Sequence, residues 1–259
     1  MASGVPAAAE AIATFAPPFD SSDDAVARLA GVGFATLDPD GAARLVGVPL
    51  PALAPLAASW DDLPPDGYLK DGGAYRRRRH ACFVVDGGAV VQTPRRPHWQ
   101  PVEYNALHGG MQRWFEPVDP AVVASSAWTG LIAGLAAVCD RVRPQPRWFV
   151  EAHQFRIDTA GGIGRPTPEG AHRDGVDFVA VILVARRGVK GGETRVFDAA
   201  GPAGRRFTMI APWTTLLLDD ARVIHETTPI QPLDAADTGS GVRDTLVVTL
   251  RADGFQGDA

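Results

Sequence analysis

The spacing of hydrophobic and polar positions divides the chain into parts with different periods. From Arg147 onward apolar residues come in short runs, WFVEAHQFRI, DFVAVILVAR, GETRVFD, FTMIA, TTLLLDD, RVIHETT and RDTLVVTLR. Breaks rich in glycine, proline and aspartate separate them, so each run reads as a β-strand. No helical crossover is visible between consecutive runs, which favours an antiparallel jelly roll or barrel over an α/β sheet. Upstream, Val122, Val123, Trp128, Leu131, Ile132 and Leu135 recur near helical spacing and predict a helix from about Pro120 to Asp140, ended by Pro144 and Pro146. Residues 61–120 carry the glycine pairs Gly72-Gly73 and Gly87-Gly88, a strand-like ACFVV and a turn-rich aromatic run, and read as strands and loops. Residues 1–60 are rich in alanine, with Leu29, Leu45, Leu53 and Leu56 among helix formers broken by prolines, which predicts short helices. The expected organisation is one structural domain, mainly β with flanking helices (α+β), in which a helical segment 1–60 packs on a β core of residues 61–259.

Composition narrows the range of partners. The chain has 259 residues, 46% of them hydrophobic, enough to bury a substantial core. A formal net charge of -5 argues against broad attraction to nucleic acid or an anionic membrane surface, so a small molecule is the expected partner. The longest apolar stretch, Leu131 to Cys139, is far short of the roughly 20 residues that cross a bilayer as a helix and reads as a buried helix segment. Cys82 and Cys139 are far apart and have no CxxC companions, so neither a disulfide framework nor a zinc knuckle is suggested. The N-terminus lacks a positive region followed by an apolar one, so a cytoplasmic protein is expected, and a homodimer is compatible with this composition.

The candidate chemistry lies in the second half. His172 and Asp174 stand two residues apart just before an apolar strand, so in extended backbone both side chains point one way and could hold one metal. His225, at the end of LLLDDARVIH, could supply a third ligand. Two histidines and a carboxylate on one face leave positions open, the arrangement non-haem Fe(II) oxygenases use. Each residue also has an ordinary reading, Asp174 as a turn cap and His225 as a hydrogen-bonded histidine at a strand end. Eighteen residues after His225, Arg243 opens the last strand and shares a face with Thr245, Val247 and Thr249. Arg-x-Thr offers a fork plus a hydroxyl for a carboxylate, although Arg243 could instead pair with Asp244.

The motifs together resemble the bacterial 2OG-Fe dioxygenase family that includes L-isoleucine 4-hydroxylase-like enzymes acting on free amino acids. The likeness spans roughly residues 68–251. It rests on Tyr75-Arg76-Arg77, Tyr104-Asn105, Gly109-Gly110, Arg113-Trp114-Phe115, His153-Gln154-Phe155-Arg156 and Pro168-Glu169-Gly170. It continues through His172-Arg173-Asp174-Gly175, Gly191-Gly192-Glu193-Thr194, Asp219-Asp220, His225, Thr228-Pro229-Ile230 and Arg243-Asp244. The resemblance implies a double-stranded β-helix, the cupin-like jelly roll, with Fe(II) on His172, Asp174 and His225. It also implies 2-oxoglutarate on Arg243, assisted by Thr245, with O2 as the oxidant. Biofilm- and stress-linked members of the same family leave the substrate open.

A free amino acid needs a cation for its carboxylate and an acid or carbonyl for its ammonium. Gln154 and Arg156 share one face of WFVEAHQFRI and are candidate substrate contacts, with an outward, solvated Arg156 the alternative. The run Arg76 to Arg79 reads as a strand-edge or surface feature, from which one guanidinium could reach the pocket. Trp114 and Phe115 read as core, and Gly191-Gly192 as a tight turn. Three other functions compete. A zinc hydrolase could use the same trio, but the HExxH helix is absent because His225-Glu226 runs into Thr227-Thr228-Pro229. A 2-oxoglutarate-dependent hydroxylase of a peptide, protein or other metabolite would keep the iron. A non-catalytic cupin-like metal- or ligand-binding regulatory module would have no use for a carboxylate clamp at Arg243.

Overall fold

The computed structural model describes residues 15–105, 107–234 and 241–258, so the expectation of helix for the first 14 residues lies outside the described part. Helix α1 (Ala25–Val32) closes on Gly33 at φ 84°, and the chain turns directly into strand β1 (Phe34–Leu37). Helix α2 (Pro39–Val46) starts with proline at its first position behind Asp38, whose carboxylate accepts the Gly41 N–H at 2.6 Å. A four-residue helix α3 (Leu50–Leu53) and a 3-10 segment, Ala54–Trp60, complete this region. Short helices are therefore present as expected, but β1 was not anticipated. FATL has no strand signature of its own, and it is extended because it pairs with Thr215–Leu218.

Strand β2 (Arg76–Asp86) forms a hairpin with β3 (Ala89–Gln92). The single helix expected from Pro120 to Asp140 is two helices, α4 (Pro120–Val123) and α5 (Ser126–Val142). Ser125 breaks the run, because its hydroxyl caps the second helix by accepting from Trp128 N at 3.3 Å. There follow β4 (Arg147–Asp158), β5 (Phe178–Arg187), β6 (Val189–Gly191), β7 (Thr194–Asp198) and β8 (Gly204–Phe207). The chain ends with β9 (Thr215–Asp219), β10 (Val223–Thr227), β11 (Ile230–Pro232) and β12 (Val242–Arg251). The expected strand FTMIA is displaced. Only Phe207 belongs to β8, and Thr208–Ile210 continue without a sheet partner toward a turn at Pro212.

The strands pair antiparallel into a seven-stranded sheet, β1-β9-β5-β12-β4-β2-β3, facing β10-β7-β8 and the small pair β11-β6. This is the expected mainly β, jelly-roll arrangement. Strand alternation divides the large sheet. Phe83, Trp148, Val150, Ala152, Ile182, Leu246 and Val248 face the helices, where α5 contributes Trp128, Leu131, Ile132 and Leu135 to one buried core. The opposite positions of β2, β4, β5 and β12 face a cavity between the sheets. Trp60 fastens the N-terminal region to the sheet, its indole N–H reaching the carbonyls of Phe155 at 3.1 Å and Thr245 at 3.2 Å. Among the described residues no single helix is long and apolar enough to cross a membrane.

Candidate active site

Two stretches of backbone bring the trio together. His172 N donates to His225 O at 3.0 Å and His225 N to His172 O at 2.9 Å, an isolated antiparallel bridge that sets the two imidazoles side by side, centroids 4.6 Å apart. The Nδ1 of His172 lies 2.9 Å from the carbonyl of Gly170, so it carries the proton and Nε2 is left with its lone pair. That Nε2 stands 3.8 Å from Asp174 Oδ1 and 3.5 Å from Glu169 Oε1, while His225 Nε2 stands 3.7 Å from Asp174 Oδ2. These separations are too long for hydrogen bonds and leave room for an ion among the three groups. Burial disfavours protonation of His172, but Asp174 and Glu169 outweigh it and raise its pKa, so the site favours positive charge. Burial and the neighbouring His172 hold His225 well below its ordinary range, in the neutral form a metal requires.

Asp174 is held from behind. Its N–H and those of Gly175 and Val176 donate to the Asp220 carboxylate at 3.0, 2.7 and 3.1 Å. Gly175 sits at φ 76°, and a Cβ there would collide with the ring of Tyr104, so only glycine permits this turn. The Asp174 carboxylate accepts from Gln100 Nε2 at 3.2 Å. The orientation of that amide follows from its other end, where Asn105 Nδ2 and Arg113 Nη2 donate to Gln100 Oε1 at 3.1 and 2.9 Å. Gln100, Asn105 and Arg113 are buried, and the turn-rich run that carries them has no periodic pattern to mark their role.

The trio opens into a cavity of about 110 Å³. Arg243, Thr245, Val247 and Thr249 line it along β12, as the two-residue period requires. Arg243 is 3% exposed, and its Nε and Nη2 have no hydrogen-bond partner among the described residues. Asp244, the alternative partner, points to the other face and accepts two hydrogen bonds from Arg156 at 2.8 Å each. Burial, with the charge of Arg186, lowers Arg243 to about 10, still cationic at neutral pH. A buried cationic fork without an anion is a docking point for a carboxylate.

Other expected residues lie elsewhere. Gln154 and Arg156 are not in the cavity. They share a face, but it is the helix-facing one of Trp148, Val150 and Ala152, where Gln154 donates to Ser59 Oγ at 2.7 Å and Arg156 binds Asp244 and Asp61. The apolar run at even positions 148–152 was the available signal for that side. Of the arginine run, Arg77 and Arg79 are partly exposed, whereas Arg76 and Arg78 are buried and line the cavity. The surface reading holds for only half of the run, because alternation along β2 turns Arg76 and Arg78 to the cavity face of the sheet and Arg77 and Arg79 away from it. Trp114 is 48% exposed and not core, while Phe115 is buried as expected. Gly191 and Gly192 turn at φ 76° and 68°. A larger groove of about 870 Å³ elsewhere exposes Arg28, Arg173 and Arg222, but these guanidiniums already bind Asp20 and the carbonyls of Ala221, Ala30 and Gly31.

The profile of the 2OG-Fe dioxygenase family matches residues 57–249. The chain belongs to the 2OG-Fe dioxygenase family. This family requires Fe(II), 2-oxoglutarate and O2, and the protein is an enzyme of that class. The trio and the unpaired Arg243 fork fit those requirements, one as a cation site with open positions and the other as a buried receptor for a carboxylate. Among solved structures, the chain is similar to a bsmA homolog from Methylobium petroleophilum PM1, at 51% identity and a TM-score of 0.88 over 94% of this chain and 98% of that one. IDO from Bacillus thuringiensis shares the fold at 15% identity and a TM-score of 0.71, covering 90% of this chain and 100% of that one. The Fe(II)/α-ketoglutarate-dependent dioxygenase TqaL does so at 20% identity and 0.68, covering 92% and 88%. No curated protein matches the chain.

Proposed function

We propose that this dioxygenase hydroxylates an aliphatic C–H of a free L-amino acid, with Fe(II) on His172, Asp174 and His225 and the far carboxylate of 2-oxoglutarate on Arg243 and Thr245. The observation that carries the reading is the unmatched guanidinium of Arg243, buried in the cavity onto which the trio opens. Bound Fe(II), 2-oxoglutarate and O2 supply one oxygen atom to the substrate C–H and one to succinate, with release of carbon dioxide. The chain's own residues bind, orient and exclude water. The guanidinium neutralises a carboxylate in a site that water solvates poorly, and Gln100 keeps the Asp174 carboxylate turned toward the histidines.

The unpartnered polar atoms at the other end support an amino acid as substrate. Arg76 Nη2, Arg78 Nε and Arg113 Nε, all buried, are donors for a carboxylate, and Glu169 Oε2 is an acceptor for an ammonium. A cavity of this size suits a small molecule better than a protein side chain carried on a chain. These groups replace Gln154 and Arg156 as the substrate contacts. The test is anaerobic reconstitution with Fe(II) and 2-oxoglutarate, then air in the presence of the twenty L-amino acids, with succinate and product masses read together. One amino acid gaining the mass of an oxygen in step with succinate is the expected result. If a peptide or another metabolite gains oxygen and no amino acid does, the substrate reading fails.

A further inference from the structure

Beside the cavity lies a second cluster of ionisable groups, two of which, His98 and His153, reach its wall. His80 and Cys82 on β2, His98 in the loop after β3, and Glu151 and His153 on β4 are all buried. Three imidazoles converge on one oxygen, Glu151 Oε2, at 2.7 Å from His98 Nδ1, 2.9 Å from His80 Nε2 and 3.6 Å from His153 Nε2. The other side of His153 faces Arg78, whose Nη2 lies 2.7 Å from Nδ1. Arg78 is in turn sandwiched between the rings of Phe115 and Phe155, at 3.6 and 4.4 Å from their centroids.

Proton positions follow from donor and acceptor chemistry. A guanidinium only donates, so His153 must accept at Nδ1 and carry its proton on Nε2, directed at Glu151. An ionised carboxylate only accepts, so His98 carries its proton on Nδ1. Its Nε2 then holds a lone pair, has no partner among the described residues, and belongs to a ring that lines the cavity beside Arg78 and Arg113. Burial raises the Glu151 carboxyl, but His98 and the imidazole hydrogen bonds more than offset this and leave it well below the usual carboxylate range. Burial lowers His98 to about 4 despite Glu151, and burial with His80 and Arg78 holds His153 well below its ordinary value, so both rings are neutral. Three histidines and a glutamate are also the donor set of a cation site. The contacts differ from those of the trio, however. Two are of hydrogen-bond length, and the nitrogen His153 turns inward is protonated and cannot ligate.

We infer that Glu151 is a positioning residue that fixes the polarity of the substrate end. It makes His98 a hydrogen-bond acceptor for an N–H or O–H donor of the substrate, next to Arg78, which His153 holds by accepting at Nδ1. Resting on the proposed function, this assigns the ammonium of an amino acid a neutral acceptor, His98, in addition to Glu169. A ligand offering only acceptors at that point is rejected, because the two lone pairs would face each other.

The first test needs no substrate. In protein labelled with 15N-histidine and loaded with Zn(II) and 2-oxoglutarate, NMR at pH 7 is expected to show His98 protonated on Nδ1 only and His153 on Nε2 only. His98 protonated on Nε2, or either ring doubly protonated, overturns the inference. So does a second equivalent of zinc per chain that is lost in Glu151→Gln. The second test uses whichever amino acid is hydroxylated. His98→Leu is expected to raise its KM about tenfold, the cost of one lost hydrogen bond to a charged donor, with the KM for 2-oxoglutarate unchanged and partial recovery in His98→Asn. An unchanged substrate KM in His98→Leu overturns the contact. If no amino acid is a substrate, the proposed function fails while the NMR result still decides the tautomers.

Discussion

Replacing Arg243 by methionine should separate ligand binding from stability, and in opposite directions. In the free protein the guanidinium is 3% exposed, Nε and Nη2 have no partner among the described residues, and burial draws its pKa from the ordinary arginine value down to about 10. At about 1.4 kcal/mol per unit, the environment disfavours the cation by roughly 3 kcal/mol, to order of magnitude. The folded value is depressed for a base, so this cost is fully present at pH 7.5, below both the folded and the unfolded value, and fades only as pH rises past about 10. Methionine fills much of the arginine stem without the charge and gives back about 1 kcal/mol through imperfect packing. For a chain of this length the remainder corresponds to a rise of roughly 5 °C in the Tm of the metal- and ligand-free protein. Removing one partner of a buried charge pair costs about 2–5 kcal/mol of binding, so 2-oxoglutarate should bind about 10²- to 10³-fold more weakly. Arg243→Lys keeps the charge and loses the fork, and should fall between the two. Scanning calorimetry of the apoprotein and titration calorimetry with 2-oxoglutarate under Zn(II) read the two effects. Wild-type affinity in Arg243→Met refutes the clamp, and a Tm several degrees below wild type refutes the account of an unpaired buried cation.

Asp174→Ala should abolish stoichiometric iron binding and lower succinate formation at least about 10²-fold, measured by metal analysis and coupled assay, because it removes the one carboxylate ligand of the trio; unchanged turnover after altering both His172 and Asp174 would sink the trio. Arg156→Ala should destabilise the fold by about 3 kcal/mol in urea unfolding, by removing both hydrogen bonds to the buried Asp244 carboxylate and leaving it only the more distant Arg187 at 3.8 Å, with the KM for 2-oxoglutarate and substrate unaltered; a raised substrate KM at intact stability would return Arg156 to the binding site. Gly175→Ala forces φ 76° on a residue with a Cβ that meets Tyr104, and should cost about 2 kcal/mol and weaken metal binding through Asp174, checked by thermal melts with and without Zn(II).

The Asp174 loop and the arginine run show how unevenly the site could be read from sequence. His172 and Asp174 were legible because a two-residue spacing is a local property of extended chain, and Arg243 with Thr245 for the same reason on β12. Arg113, Gln100 and Glu169 were not, since loop residues carry no period and their convergence depends on how separate segments cross. Gln154 and Arg156 illustrate the limit of alternation, which shows that two residues share a face but not what that face meets. Here the meeting is with Asp244, Asp61 and Ser59, all distant in sequence.

Sequence alone determined the β character of the second half, the partition of each strand into two faces, the spacing of His172 and Asp174, and the absence of a zincin helix. These depend on periods and motifs a few residues long. Tertiary structure alone decided that β1 joins the sheet, that the face of β2 carrying Arg76 and Arg78 meets the cavity, and that Asp244 is taken by Arg156 so that Arg243 has no ion-pair partner among the described residues. It also gathered His80, His98 and His153 around Glu151. Each of these depends on which strand lies beside which, and hydrogen-bonded pairing between segments as far apart as Phe34 and Leu218 is not encoded in any local period.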